Sequence, residues 1–274
     1  MKVPTKKTIH SELQTHGYIL YKNNSDRLDK QHTHSYYEMI LLLKGKIDYF
    51  ADGVIYPLTP KDIIAMQAGT PHGKLKLYDE GREYLVMFLD KNFFKAHDCP
   101  QYEAFFHPTT RFNRKISASV CESSGLFDVY QRLQKYTNDF TDIHNAVTQA
   151  LLVEFLHILN TGVRFSKTYI SNPQVEKALD YIDQNLTQKL GLEEIAQHAY
   201  LSKYHLCRLF KEYVGYTVNQ YITLKRIEKT QALIQKKKNI TEACVEAGFS
   251  DYSAFYKAFV KLHGVPPKTM IKSK

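Results

Sequence analysis

The chain has 274 residues, 43% of them hydrophobic and 24% charged, which is enough for about two domains that each bury a core. Its 37 Lys+Arg against 28 Asp+Glu leave a net charge of +9, and the excess concentrates where a phosphate-binding surface needs it: residues 173 to 274 hold 16 basic against 10 acidic side chains. Four cysteines without a C-x-x-C argue against a disulfide framework or structural zinc, and the lack of an eighteen-residue apolar stretch argues against a membrane span, so a soluble cytoplasmic protein is expected.

From about Tyr18 to Leu89 short β-rich runs alternate with turn signals. Asp52-Gly53 between Ile47–Phe50 and Val54–Tyr56 predicts a two-residue hairpin. Leu41–Leu43 before Lys44-Gly45, Ile63–Met66 before Gly69, and Tyr84–Leu89 predict further strands. Many short strands at regular spacing point to a small barrel or sandwich.

Inside this region lies the constellation His32-x-His34-x-x-x-Glu38 with Gly45, followed by Gly69-Thr-Pro71-His72. On one regular strand His32, His34 and Glu38 face the same way, and with His72 they make a ligand set for zinc, iron or manganese. The arrangement resembles both motifs of the cupin superfamily, with the second degraded. Gln67 stands at a usual Pro, Asp62 at a usual Gly and Lys76 at a usual Asn, departures that weaken enzymatic chemistry more than they threaten a barrel. Tyr36, Tyr37, Tyr49, Tyr56, His72 and Tyr84 crowd the same strands, and aromatic faces with hydroxyls suit a carbohydrate, although no Trp is present. Covering the outside of the barrel is the competing role for those tyrosines.

Two amphipathic helices are predicted next, one through Leu126, Tyr130, Leu133 and Tyr136, the other through Ile143, Val147, Leu151, Phe155 and Leu159. They suit packing on the barrel or pairing with a second subunit. Residues 162 to 172 read as a linker, and Pro173 as the first turn of the next helix.

The last hundred residues carry a helix-turn-helix pattern twice. One copy runs through Leu192, Ile195, Ala196, Ala199 and Ser202 to Leu206, Phe210 and Gly215; the other runs through Ala243, Cys244, Ala247 and Phe249 to Phe255, Phe259 and Gly264. From the second helix of each copy onward the offset is a constant 49 residues. Small residues at Ala196 and Cys244 let the paired helices approach, and Ser202 is an N-cap. The outward faces carry Lys203, Tyr204, Cys207 and Arg208 in one copy, and Tyr252, Ser253, Tyr256 and Lys257 in the other.

From Pro173 to the end the chain resembles the DNA-binding domain of AraC-type bacterial transcription regulators. The resemblance rests on both copies, on Leu224–Ile227 with Ala232–Ile234 between them, and on Gly248-Phe249…Phe255…Phe259…Gly264…Pro266. Ala243-Cys244 for a usual Ile-Ala, Thr230 for Ala and Val218 for a common Pro are departures expected to tune packing only. What the resemblance implies is an α+β protein: a cupin-like sensor over 1–115, a helical pair over 116–161 that forms a homodimer, the linker, and an all-helical reader over 173–274.

The resemblance further implies double-stranded DNA and RNA polymerase as partners, a small-molecule effector such as a sugar, and two recognition helices about one turn of DNA apart. Arg208 is the expected base reader, and Lys203, Lys257 and Lys236–Lys238 the expected phosphate contacts, although a lysine run also serves as a solvated helix end. His32, His34, Tyr36, Glu38 and His72 are then either effector-pocket groups without metal or, in His32, His34, Glu38 and His72, a divalent-metal site. The rival reading is a metal-dependent cupin enzyme or metal sensor fused to a DNA reader.

Overall fold

The computed structural model describes residues 4–23, 32–78, 81–107, 114–137, 143–163, 172–235, 239–263 and 266–267. Lys236–Lys238, Gly264 and most of the expected linker lie outside them. The chain divides into two compact units, Met1–Ile170 and Ser171–Lys274.

Unit one opens with α1 (Lys6–His16), capped by the Thr5 hydroxyl, which accepts from Thr8 N. It ends on Gly17 at φ 77°, where a Cβ would fall 2.7 Å from Phe93 N. The strands follow: β1 (Tyr18–Asn23), β2 (Tyr37–Lys44), β3 (Ile47–Ala51), β4 (Val54–Leu58), β5 (Ile63–Met66), β6 (His72–Leu77), β7 (Glu83–Leu89) and β8 (Lys115–Ile116). Asp52 and Gly53 take φ 50° and 85° in the expected β3–β4 hairpin, the double left-handed turn that matches strand twist.

All pairings are antiparallel, in a five-stranded sheet β1-β7-β2-β5-β8 and a three-stranded sheet β4-β3-β6. The β region is therefore two sheets around one core rather than a closed barrel. The chain changes sheets at Gly45 (φ 86°): β2 pairs with β7 and β5, while β3 pairs with β4 and β6. A lone bridge, His32 with His72, is the described pairing outside the named strands. Asp62, which stands where a Gly is usual, is 2% exposed, and its carboxylate accepts from Thr59 N (2.8 Å), Ala118 N (2.8 Å) and Lys115 Nζ (2.9 Å). It thereby ties the turn before β5 to β8 and to the start of α3.

Helices α2 (Lys91–Ala96), α3 (Ala118–Ser123), α4 (Leu126–Tyr136) and α5 (Ala146–Thr161) and a 3-10 turn over Pro100–Phe106 complete the unit. Val129, Tyr130, Leu133, Leu151, Leu152, Phe155, Leu156 and Leu159 of α4 and α5 join the core cluster of the strands, so the helical pair packs on the sheets. Tyr136 and Val147 stay about half exposed.

Unit two is all helical: α6 (Pro173–Gln184), α7 (Leu192–His198), α8 (Lys203–Val214), α9 (Val218–Gln235), α10 (Ile240–Glu246) and α11 (Tyr252–His263). Pro173 sits in the first turn of α6 under an Asn172 cap. Both helix-turn-helix copies close their turns with the same two backbone bonds: Tyr200 N to Gln197 O and Leu201 N to Ala196 O, and Gly248 N to Val245 O and Phe249 N to Cys244 O. The offset between copies is 48 residues through these turns and becomes 49 because Asp251, not Ser250, caps α11, its Oδ1 accepting from Ala254 N at 2.8 Å.

The three departures all sit buried: Thr230 returns its hydroxyl to Arg226 O (2.8 Å), Ala243 and Cys244 line the helix contact, and Val218 starts α9. From α9, Arg226 donates through Nε to Leu186 O (2.9 Å) and through Nη2 to Gln188 O (2.7 Å), in the segment before α7.

At the second turn Gly248 has φ 101°, and a Cβ there would meet Arg226 Nε and Leu186 O at 2.8 Å. Tyr200, at the matching place in the first turn, holds a left-handed φ of 57° in the open. Gly248→Ala is accordingly expected to lower the urea midpoint of the helical unit by the equivalent of more than about 1 kcal/mol. Tyr200→Gly is expected to raise it by about 1 kcal/mol, and a rise for both or a fall for both would contradict the turn geometry.

Candidate nucleic-acid interface and histidine cluster

In unit one the four predicted ligands do converge, though not on one strand. β2 begins only at Tyr37, and the chain from His32 reaches it through a bend, so the expected even-numbered alternation does not hold. Instead the His32–His72 bridge and the start of β2 bring the ligand atoms of His32, His34, Glu38 and His72 within 4.8 Å of one another. Glu38 Oε2 stands 2.8 Å from His34 Nε2 and 2.8 Å from His72 Nε2. The His72 contact has ion-pair distance but not hydrogen-bond direction, and its fully buried Nε2 has no hydrogen-bond partner.

The far nitrogens meet carbonyls: His34 Nδ1 lies 3.0 Å from Tyr36 O and His72 Nδ1 2.6 Å from Thr70 O. Burial lowers the His34 pKa to about 4, with His72 and His32 beside it adding to the fall and Glu38 opposing it, so the ring is neutral near pH 7. Burial pushes the Glu38 carboxyl up, but the His72 and His34 imidazoles overcome this and hold it well below the usual carboxylate range. A neutral imidazole has one N–H, whereas His34 faces two acceptors, Tyr36 O and Glu38 Oε2. One of those two contacts lacks a proton. A divalent cation among the Nε2 atoms and the carboxylate removes the conflict, with each Nδ1–H kept on its carbonyl.

Tyr36 lies beside this cluster, its ring stacked on His34 at 3.9 Å and 10°. The other tyrosines considered for a sugar pocket are at most 3% exposed: Tyr37, Tyr49, Tyr56 and Tyr84 are packed into the core. Tyr84 OH accepts from the buried Lys74 Nζ at 2.8 Å.

In unit two, α8 buries Leu206, Phe210 and Val214 and turns Lys203, Tyr204, Cys207 and Arg208 outward, because residues one turn apart share a face. Lys203 pairs with Glu193 at 2.5 Å and Arg208 with Glu212 at 3.2 Å. These are exposed pairs that solvent and salt screen, so a phosphate or base edge displaces the glutamates at small cost. On α11, Ser253, Tyr256 and Lys257 are exposed, whereas Tyr252 is half-buried against Phe255 and the second helix-turn-helix core. Tyr200, which lies outside the two outward faces expected from the sequence, is 80% exposed at the turn leading into α8, with Lys177 Nζ 4.3 Å above its ring. Its alignment with Gly248 was the available signal.

Two helix-turn-helix copies with small buried contact residues, each presenting a mixed basic and aromatic face, define a DNA-reading protein. Residues 195–273 match the family described as "Helix-turn-helix domain". The chain is 25% identical over 244 residues to the "Probable transcriptional regulator LumQ" of Photobacterium leiognathi, covering 88% of this chain and 92% of that protein. It is 31% identical over 101 residues to the HTH-type transcriptional activator AarP of Providencia stuartii, covering 36% of this chain and 75% of AarP. With the melibiose operon regulatory protein of Escherichia coli K12 it shares 31% identity over 110 residues, 40% of this chain and 35% of that one. The chain belongs to the AraC-type family of transcription regulators, whose members bind DNA and effector ligands. No helix among the described residues is long and apolar enough to cross a membrane.

The cluster also sets a pH dependence. His34 has a folded pKa of about 4 against 6.5 in the unfolded chain, so between those values the unfolded state binds more protons. Its contribution is complete above pH 6.5 and is lost as the pH falls toward 4; Glu38, held ionised, adds a loss below its ordinary value of 4.5. Melting of the sheet unit from pH 7 to pH 4 should show this fall, and His34→Gln should flatten its upper part; an unchanged slope would remove His34 as its source.

Proposed function

We propose that this regulator is a ligand-responsive activator of genes for carbohydrate or small-metabolite use, a cytoplasmic homodimer that reads double-stranded DNA and engages RNA polymerase, without catalytic activity of its own. The single observation that carries the DNA assignment is the pair of outward faces, Lys203, Tyr204, Cys207 and Arg208 on α8 with Ser253, Tyr256 and Lys257 on α11, beside the half-buried Tyr252. Arg208 suits a bidentate guanine contact, and Lys203 and Lys257 suit phosphates. The likeness to a melibiose operon regulator supports a sugar as effector. Effector binding acts by favouring one arrangement of the readers over another, which requires different affinities for the two.

A groove of about 570 Å³ on α4 and α5, lined by Arg132, Tyr136, Ala146, Val147, Ala150, Leu151 and Glu154, supports dimerisation through the helical pair. The half-exposed Tyr136 and Val147 are apolar surface that a second subunit would cover.

The second reading, a metal sensor, is favoured by the unprotonated contact at His34 and the orphaned His72 Nε2. His32, His34, Glu38 and His72 would hold a zinc, iron or manganese ion, which would supply Lewis acidity and extra rigidity to the join between the two sheets. His34 and His72 would each hold their ring orientation through the Nδ1–H to a backbone carbonyl.

Selection from random duplexes is expected to enrich two boxes about one helical turn apart, and Arg208→Ala to relax one position by about 1–3 kcal/mol. Enrichment of no sequence, with binding that follows only salt, would defeat the specific-reader assignment. Val147→Glu is expected to shift the sedimenting species from dimer to monomer at micromolar concentration; a dimer that persists places the interface elsewhere. A sugar that raises the melting temperature in chelator supports the pocket reading, and retained metal lost in His72→Gln supports the metal reading.

A further inference from the structure

A second group of ligating side chains lies apart from the buried cluster. Glu12 and His16 stand one turn apart on α1, the spacing that puts two side chains on one helix face. His144 approaches from the residue before the Asn145 cap of α5. Glu12 Oε2 is 2.7 Å from His144 Nε2 and 3.9 Å from His16 Nε2, and the three ligand atoms lie within 4.8 Å of one another. Their side chains are 32%, 36% and 23% exposed, so solvent reaches the group while its base is packed. That base is built: Tyr18 donates its hydroxyl to Ile143 O at 2.6 Å and sets its ring edge-on to His144 at 5.0 Å, which fixes the backbone and imidazole of the α5 side.

We propose that Glu12, His16 and His144 form a surface zinc site that ties α1 to the start of α5. Two imidazoles and one carboxylate are a zinc donor set, with a water as fourth ligand. Tetrahedral bonds of about 2.0–2.2 Å place neighbouring donors about 3.4 Å apart. The present separations of 2.7 and 3.9 Å bracket that value, so each closes with a shift of under an ångström. The two rings now stack at 3.8 Å and 16°, which does not aim both lone pairs at one point. His16, the more exposed and the last residue of α1, has room to turn its ring toward the ion. Zinc takes its ligands deprotonated, so capture weakens as the pH falls. Nitrogen donors select zinc over magnesium or calcium. The ion would brace the end of α5 that lines the apolar groove through Ala146 and Val147.

The test is a zinc chloride titration of the metal-free full chain against a chromophoric chelator, in wild type, His16→Gln, His144→Gln and His72→Gln, with folding checked by circular dichroism. His16→Gln and His144→Gln are each expected to weaken one zinc equivalent at least tenfold and to reduce the zinc-induced rise in melting temperature, while magnesium chloride does neither. His72→Gln is expected to leave that equivalent in place, which separates it from any ion in the buried cluster. Glu12→Gln, on an exposed helix face, repeats the test if a histidine variant fails to fold. Wild-type affinity and stoichiometry in folded His16→Gln and His144→Gln would overturn the proposal.

Discussion

One guanidinium ties three parts of the helical unit together. Arg226 leaves α9, reaches two carbonyls of the segment that precedes α7, and stands against the second turn where Gly248 leaves room for it. A single side chain therefore connects the central helix, the entry to the first helix-turn-helix and the turn of the second. Burial lowers its pKa, yet an arginine stays charged, so the cost of placing it there is offset by charge-assisted bonds to two backbone carbonyls. Apolar packing joins both copies to α9 as well, Phe210 of α8 meeting Tyr221 and Ile227 entering the core of the second copy, and the guanidinium adds the polar tie among the three parts.

The sheet unit is organised by the opposite charge. Buried carboxylates hold its corners: Asp62 joins the turn before β5 to β8 and α3, Asp52 receives Arg114 from beside β8 at 3.2 Å, and Glu38 stands among three imidazoles. Each carboxylate is at most 7% exposed; Asp62 and Asp52 meet cationic side chains, as burial of an ionised group demands, and Glu38 stands against the imidazoles. Asp62 illustrates how a departure from a motif is absorbed. The glycine usual there supplies backbone freedom, whereas the aspartate supplies acceptors and recruits Lys115 and the α3 amide. The histidine and glutamate residues keep their convergence although the strand beneath them is shorter than their spacing suggests.

The resemblance in the sequence and the likeness to known regulators agree, and they meet in the C-terminal unit, where residues 195–273 match the helix-turn-helix family. The sheet unit carries the individuality. Its tyrosines, which composition alone marks as sugar platforms, are mostly core, and the side chains left near the surface of the histidine cluster are His32, His34 and Tyr36. The polar groups gathered at that cluster are therefore imidazoles and a carboxylate more than phenols.

Local patterns in the sequence were sufficient for the repeated reader. A helix needs only neighbours three and four residues away, and Leu206, Phe210 and the caps Ser202 and Pro173 lie within such windows. The Asp52-Gly53 hairpin was legible for the same reason, since two residues decide its dihedral angles. The sheet arrangement was not, because the pairing of β2 with β7, from Lys44 with Glu83 to Tyr37 with Leu89, and the change of sheet at Gly45 depend on contacts that no local window contains. The same limit hid the α1 helix's role: Glu12 and His16 are one turn apart in sequence, but His144 meets them only after the chain has folded over both sheets. Sequence by itself determined the helix-turn-helix copies, their outward faces apart from the half-buried Tyr252, and the four residues of the histidine cluster. Tertiary structure decided which of the tyrosines are core, how the cluster closes without a continuous strand, and which distant side chains share a carboxylate, because burial and long-range contact are properties of the packed chain and not of its order.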